Sequence, residues 1–184
     1  MLPQVRLRPH RPGDLGWVVM RHGELYAVEY GYDVRFEAMV AEIAARFVNR
    51  FDAKRERCWI AERDGMRVGA VFLVKKSART AQLRMLLVDP AARGLGLGKR
   101  LVETCVDFAR AAGYRRLVLW TQSELTAARA IYGKAGFRLV KREPHTSFGK
   151  RLTGECWALD LSPPPAGARR ASCSRPPAAS RRCA

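Results

Sequence analysis

The spacing of apolar positions changes period several times along the chain, and each change marks an element. Residues 4–8 alternate, with Val5 and Leu7 set against polar neighbours, as in a short strand. Residues 12–28 read as a helix with Asp14 in its first turn. Asp33 then caps a second helix, on which Phe36, Met39, Val40, Ile43, Phe47 and Phe51 recur at spacings of three and four. That stripe is read as core. Three strands follow, at residues 57–62, 68–75 and 78–88. Asp64 and Gly65 join the first two as a two-residue hairpin turn, because both tolerate positive φ. Asp89 and Pro90 end the third, since proline cannot donate to a ladder.

Residues 94–113 carry the strongest helical pattern. Leu97, Leu101, Val102, Cys105, Val106, Phe108, Ala109 and Ala112 form one apolar face, and Gly113 is placed to cap its end. Residues 117–121 are an unbroken apolar run, the pattern of a buried parallel strand. A helix over 127–135 closes at Gly136, and two strands fit 137–142 and 156–161. The order β-α-α-β-β-β-α-β-α-β-β predicts a mixed α/β sheet with at least one βαβ crossover.

The apolar pattern stops at residue 161. Residues 162–184 are built almost wholly of Pro, Ala, Arg and Ser, with no Leu, Ile, Val or aromatic residue. Such a segment cannot bury enough apolar surface to offset its ordering entropy. The expectation is therefore one domain, residues 1–161, and a disordered basic tail, residues 162–184.

Charge adds a question about partners. The 184 residues hold 34 Lys and Arg against 17 Asp and Glu, a net charge of +17. Five arginines of that excess lie in the tail. The body stays basic, which suits an anionic small molecule as well as nucleic acid, and nucleic acid is not the favoured partner. No apolar stretch is long enough to span a membrane, and no apolar leader follows the N-terminus, so a cytoplasmic protein is expected. The five cysteines are odd in number and form no CxxC pair, so they are read as reduced thiols and no metal is expected.

Chemistry concentrates between Val88 and Arg100. Gly94, Gly96 and Gly98 stand at alternate positions between a strand and a helix. Glycines there let the backbone turn tightly and bare its amides, and the helix N-terminus adds positive potential. Arg93, Lys99 and Arg100 add charge, so the loop is suited to a pyrophosphate. A Walker A loop would need glycine at 93 and Ser or Thr at 100, where arginines stand. A dinucleotide fingerprint would need a third glycine where Lys99 stands. The pattern that fits is Arg-x-x-Gly-x-Gly, met by Arg93, Gly96 and Gly98.

This segment resembles the acyl-CoA motif of the GNAT family, the Gcn5-related N-acetyltransferases. Ala127, Tyr132, Gly136 and Phe137 match the family's downstream helix A-x-x-x-Y-x-x-x-G-F. More narrowly, residues 21–26, 57–62 and 143–149 are similar to acetyltransferase domains fused behind MarR-type winged helices, here without the winged helix. The resemblance implies a mostly antiparallel central sheet flanked by helices. It implies acetyl-CoA as co-substrate, held by amides of Arg93, Gly94, Leu95, Gly96, Leu97, Gly98 and Lys99, with no metal. The strand is implied to splay after Leu86, Leu87 and Val88, so that pantetheine pairs there and an amide near Leu87 or Val88 polarises the carbonyl. Tyr132 is the implied general acid. With a phenol near pKa 10 and a thiol near 8.5–9, the proton is expected to pass to the thiolate once it forms.

The general base stays open. Many relatives place a glutamate where this chain has Gln82, which cannot take a proton. Glu24, Glu29 and His22, in the helical region that lines the acceptor cleft in the family, are the alternatives, as is a water relay. Leu125 stands where many relatives carry an asparagine that touches the cofactor. The implied acceptor is a primary amine of a small molecule or a protein, with a homodimer as one arrangement. The basic body disfavours polyamines and basic peptides. Two other readings are an acyl-CoA-binding module without turnover, suggested by Gln82, and a nucleic-acid-binding protein, suggested by the charge.

Overall fold

The computed structural model describes residues 5–161. In chain order the elements are β1 (Arg6–Pro9), α1 (Asp14–Tyr30), α2 (Val34–Asn49), β2 (Arg57–Arg63), β3 (Met66–Lys75), β4 (Thr80–Val88), a 3-10 turn (Pro90–Ala92), α3 (Leu97–Ala111), β5 (Arg116–Gln122), α4 (Thr126–Lys134), β6 (Arg138–Ser147) and β7 (Lys150–Asp160). The order is the one the pattern predicts. Seven strands form one sheet, β1-β2-β3-β4-β5-β7-β6. Every pairing is antiparallel except β4 with β5, across which α3 makes the crossover.

The sheet is covered on both faces. Leu97, Leu101, Val102 and Cys105 of α3 pack on Val71, Leu73, Leu83 and Leu117. On the other face Val18 and Phe47 pack on Ile60, Ala70 and Phe72. The stripe expected on α2 is core, with Phe36, Val40 and Phe47 buried. Asp33 caps α2, accepting from the Arg35 amide at 3.0 Å. Asp64 and Gly65 both have positive φ, as the hairpin requires.

Most boundaries move by one or two residues from the sequence reading, and a few differ for a physical reason. The helix expected from residue 94 begins at Leu97, because Gly94 and Gly96 take φ of 78° and 73° and turn the chain before it. The last two strands are longer than the predicted 137–142 and 156–161. Pro144 would break a central strand, but β6 is the sheet edge and the missing N–H is tolerated there. Phe51 lies beyond the end of α2 and packs edge-on against His10. The proposed tail, residues 162–184, lies outside the described residues.

Candidate active site

The site begins where β4 parts from β5. Their ladder runs from Thr80–Arg116 to Leu83–Leu119 and stops there. Met85 takes a positive φ of 54°, and the β3–β4 register shifts beside it. The splay thus starts after Leu83, ahead of the Leu86 to Val88 stretch from which it was expected. The Asp89 amide donates to the Val68 carbonyl at 2.9 Å, which makes the Val88–Gly69 pair the non-hydrogen-bonded kind. The N–H of Val88 therefore points away from β3, toward the open edge.

A cleft of about 350 Å³ lies along that edge. Leu86, Leu87 and Val88 form one wall, and Ala127, Ala128 and Ile131 of α4 form the other. The N-terminus of α3 closes its end. Arg100 is the first residue there to bond back, to the Gly96 carbonyl at 3.1 Å. The amides of Leu97, Gly98 and Lys99 precede any helical acceptor and are left for a ligand. Side chains on Gly94 and Gly96 would meet nothing within 4 Å, so these two serve the turn by their φ. Gly98 serves packing instead: a Cβ there would stand 2.7 Å from Ile131 Cδ1. Every predicted cofactor residue except Leu95, which is exposed, lines this cleft.

Two ion pairs lock α1 over the loop. Arg93 donates to Glu29 at 2.6 Å, and Arg21 donates to Asp89 at 2.8 Å. Glu29 is therefore at the mouth of this cleft and paired. Glu24 accepts from Arg21 at 2.9 Å on the exposed side of α1 and lines neither cavity at the parted strands.

A second cavity, about 100 Å³, abuts the first. Tyr26, Leu86, Leu125 and Ala128 border both. Tyr132 faces this second space and is 5 % exposed. Burial holds its phenol well above the usual range, and so too that of Tyr26. His22 also lines it. Its Nδ1 lies 2.8 Å from the Val18 carbonyl, which makes Nδ1 the donor and leaves the lone pair on Nε2. Burial lowers its pKa to about 4, so the ring is neutral near pH 7. Gln82 lines the same cavity, whereas among the described residues no Asp or Glu does. Leu125, buried at the junction, makes the wall apolar where an amide was expected in relatives.

Arg129, within the predicted α4 motif, fixes this helix to β7. It donates to the fully buried Glu155 at 2.8 Å and to the Ser123 carbonyl at 3.0 Å. Arg142 and the Trp157 indole complete the set around that carboxylate. These bonds hold Glu155 below its usual pKa despite burial.

Sequence reasoning missed Tyr26, Arg84 and Trp120. Tyr26 follows His22 by one helical turn, a spacing that was there to be read. Gln82 and Arg84 alternate with buried Ala81 and Leu83, and polar residues on one face of a central strand signal a cavity.

Residues 15–137 match the model of the acetyltransferase (GNAT) family. The chain belongs to that family. Mycothiol acetyltransferase of Sanguibacter keddieii is 32 % identical over 146 residues, covering 74 % of this chain and 44 % of that protein. N-acetylaspartate synthetase of Danio rerio is 35 % identical over 83 residues, covering 45 % of this chain and 29 % of that one. The chain thus spans less than half the length of these curated relatives. Among solved structures, yncA of Salmonella typhimurium, determined with its cofactor acetyl-CoA, superposes with a TM-score of 0.70 at 19 % identity, covering 88 % of this chain and 96 % of that one. The ribosomal-protein-S18-alanine N-acetyltransferase of Escherichia coli gives 0.66 at 19 % identity, over 91 % and 100 % of the two chains. The GNAT fold, a mostly antiparallel sheet split at one parallel pair, is the fold of this protein. No described helix is long and apolar enough to cross a membrane, and no described cluster of His, Cys, Asp or Glu could hold a metal.

Proposed function

We propose that this GNAT protein is an acetyl-CoA-dependent N-acetyltransferase acting on a primary amine of a small molecule or protein, in the cytoplasm. The observation that carries the reading is the junction of the two cavities at the parted edge of β4, along which the Val88 N–H is turned away from β3. The α3 amides, the Gly94 and Gly96 turn and the Arg93 and Lys99 charges fit a pyrophosphate. The apolar walls of Leu86 and Ile131 fit a pantetheine arm. Acetyl-CoA, when bound, supplies a thioester acetyl group. Val88 N–H donates to the carbonyl oxygen as charge develops on it.

Tyr132 serves the departing sulfur. Transfer from a phenol to a thiolate whose conjugate acid has the lower pKa runs uphill, and burial of Tyr132 widens that gap. The hydroxyl therefore acts by staying protonated and donating a hydrogen bond to sulfur. This corrects the proton hand-over expected from the sequence, which ordinary phenol and thiol pKa values already oppose.

Of the three candidate bases, His22 is the one bordering the acceptor cavity. Glu29 instead anchors Arg93 beside the anion site, and Glu24 stays in solvent with Arg21. A ring with a pKa near 4 is a weak base, so the acceptor attacks as the free amine and His22 takes a proton only from the acidic N–H of the tetrahedral adduct, alone or through water. The narrower kinship with MarR-fused domains belongs to this proposal. It rests on the sequence similarity of residues 21–26, 57–62 and 143–149; of these, His22 and Tyr26 line the cavity and Phe148 packs on Tyr32 and Phe36 of its wall.

The absence of a carboxylate from the described cavity wall favours a second reading, acyl-CoA binding without turnover. One experiment separates the two. Calorimetry should show acetyl-CoA binding that Gly96→Asp abolishes, since the substitution strains a left-handed position and sets an anion at the phosphate site. An amine panel with thiol detection should show CoA release. Binding without release from any amine supports the second reading; unaltered affinity in Gly96→Asp removes the cofactor from this loop.

A further inference from the structure

Beside the second cavity the sheet face runs on as an open groove of about 710 Å³. Gln82, Arg84 and Trp120 border both spaces, so the groove is the cavity's outer mouth. Lys76, Arg84 and Arg116 line the groove, and among the described residues no Asp or Glu does. Trp120 also lines it and is 41 % exposed.

Arg84 is out of place here unless something binds it. It is half-buried on a central strand, opposite the buried Phe72. Its side chain makes no hydrogen bond or ion pair among the described residues. Among the described residues, the charged side chain that acts on it is Arg46 of α2, of like sign. Burial and that neighbour push its pKa down from the usual guanidinium value. Other arginines around the site, Arg21, Arg93, Arg129 and Arg142, each hold a carboxylate. A partly desolvated guanidinium with no anion is costly, and a ligand carboxylate would satisfy it through two parallel hydrogen bonds.

We propose that Arg84 is the specificity residue of the acceptor site, and that the acceptor is a small amine carrying a carboxylate, an amino-acid-like molecule. This rests on the transferase reading above. The carboxylate sits at the Arg84 fork where groove and cavity meet, the amine points inward toward the Tyr132 cavity, and an apolar side group lies along Trp120. A guanidinium suits this better than an ammonium would, because its planar fork matches a carboxylate. A site built to bond a substrate group rejects the analogue that lacks it, because its own polar group is then left unpaired.

The test uses the full chain with acetyl-CoA and the protein amino acids, each beside its carboxamide and its decarboxylated amine. Wild type should favour the best amino acid over both analogues by at least about tenfold in kcat/KM. In Arg84→Gln the amino-acid KM should rise and the preference vanish. Turnover of the carboxamide and KM for acetyl-CoA should stay within about threefold. Arg84→Lys should restore part of the preference. The melting temperature of Arg84→Gln should hold or rise, since an unpaired charge is removed. Equal activity on acids and carboxamides in wild type, or an equal loss on both in Arg84→Gln, overturns the proposal. Acetyl-CoA binding with no turnover of any amine overturns the transferase reading instead.

Discussion

Tyr132 and His22 show how burial sets chemistry one side chain at a time. Tyr132→Phe keeps the ring and its packing beside Phe137, so stability should move by no more than about 1 kcal/mol, the net worth of one hydrogen bond. If the hydroxyl donates to sulfur as charge develops, kcat should fall roughly 10²-fold with KM for acetyl-CoA little changed. Single-turnover rates within about threefold of wild type would make Tyr132 a packing residue. His22 gives a pH signature. Its folded pKa, about 4, lies below the ordinary 6.5, so as pH falls the unfolded chain takes the proton first. Stability from the neutral buried ring is full above pH 6.5 and is lost as pH falls toward 4. The loss is roughly 3 kcal/mol over that window. His10, also lowered by burial, adds to the same slope. Denaturant titrations at pH 7 and 4.5 should show a smaller drop for His22→Gln than for wild type. The pH–rate profile should carry no inflection near 6.5; one there would mean the ring titrates as if exposed.

At the level of elements, much could be read from the chain because local chemistry and global packing agree. The Asp64 and Gly65 hairpin, the Asp33 cap and the apolar face of α3 each arise from nearby residues. The glycine loop was legible too, though its glycines divide the labour differently. Gly94 and Gly96 turn the chain, while Gly98 lets α3 close on Ile131. That second role depends on a residue 33 positions away in sequence, which no local pattern reveals. The long β6 and β7 were under-read for a similar reason. Pro144 and Gly154 look like breakers until β6 is known to be an edge and Gly154 is seen to lie under the Trp120 ring and His145. The proposed acceptor cavity was least legible of all. His22 and Tyr26 come from α1, Gln82 and Arg84 from β4 and Trp120 from β5, and only the split between β4 and β5 brings them together.

Across the whole molecule, charge and core end at different places. The net charge is +17, of which five arginines without a compensating acid lie in residues 162–184. The core ends at Leu161, which is 8 % exposed, packs with the α3-side cluster and donates its N–H to the Arg115 carbonyl at 2.8 Å. A chain ending at Leu161 should therefore keep its melting temperature and its acetyl-CoA affinity, because the basic segment beyond offers no large apolar side chain to bury. It should bind duplex DNA more weakly at low salt, since such binding follows the number of cations available to phosphates. A chain ending at Asp160 loses one buried leucine, worth about 1.5–3 kcal/mol, and should melt measurably lower. Calorimetric melting of the two truncations beside the full chain decides it. A large loss already in the chain ending at Leu161 would show that residues 162–184 contribute to the folded core, and the domain boundary would move past them.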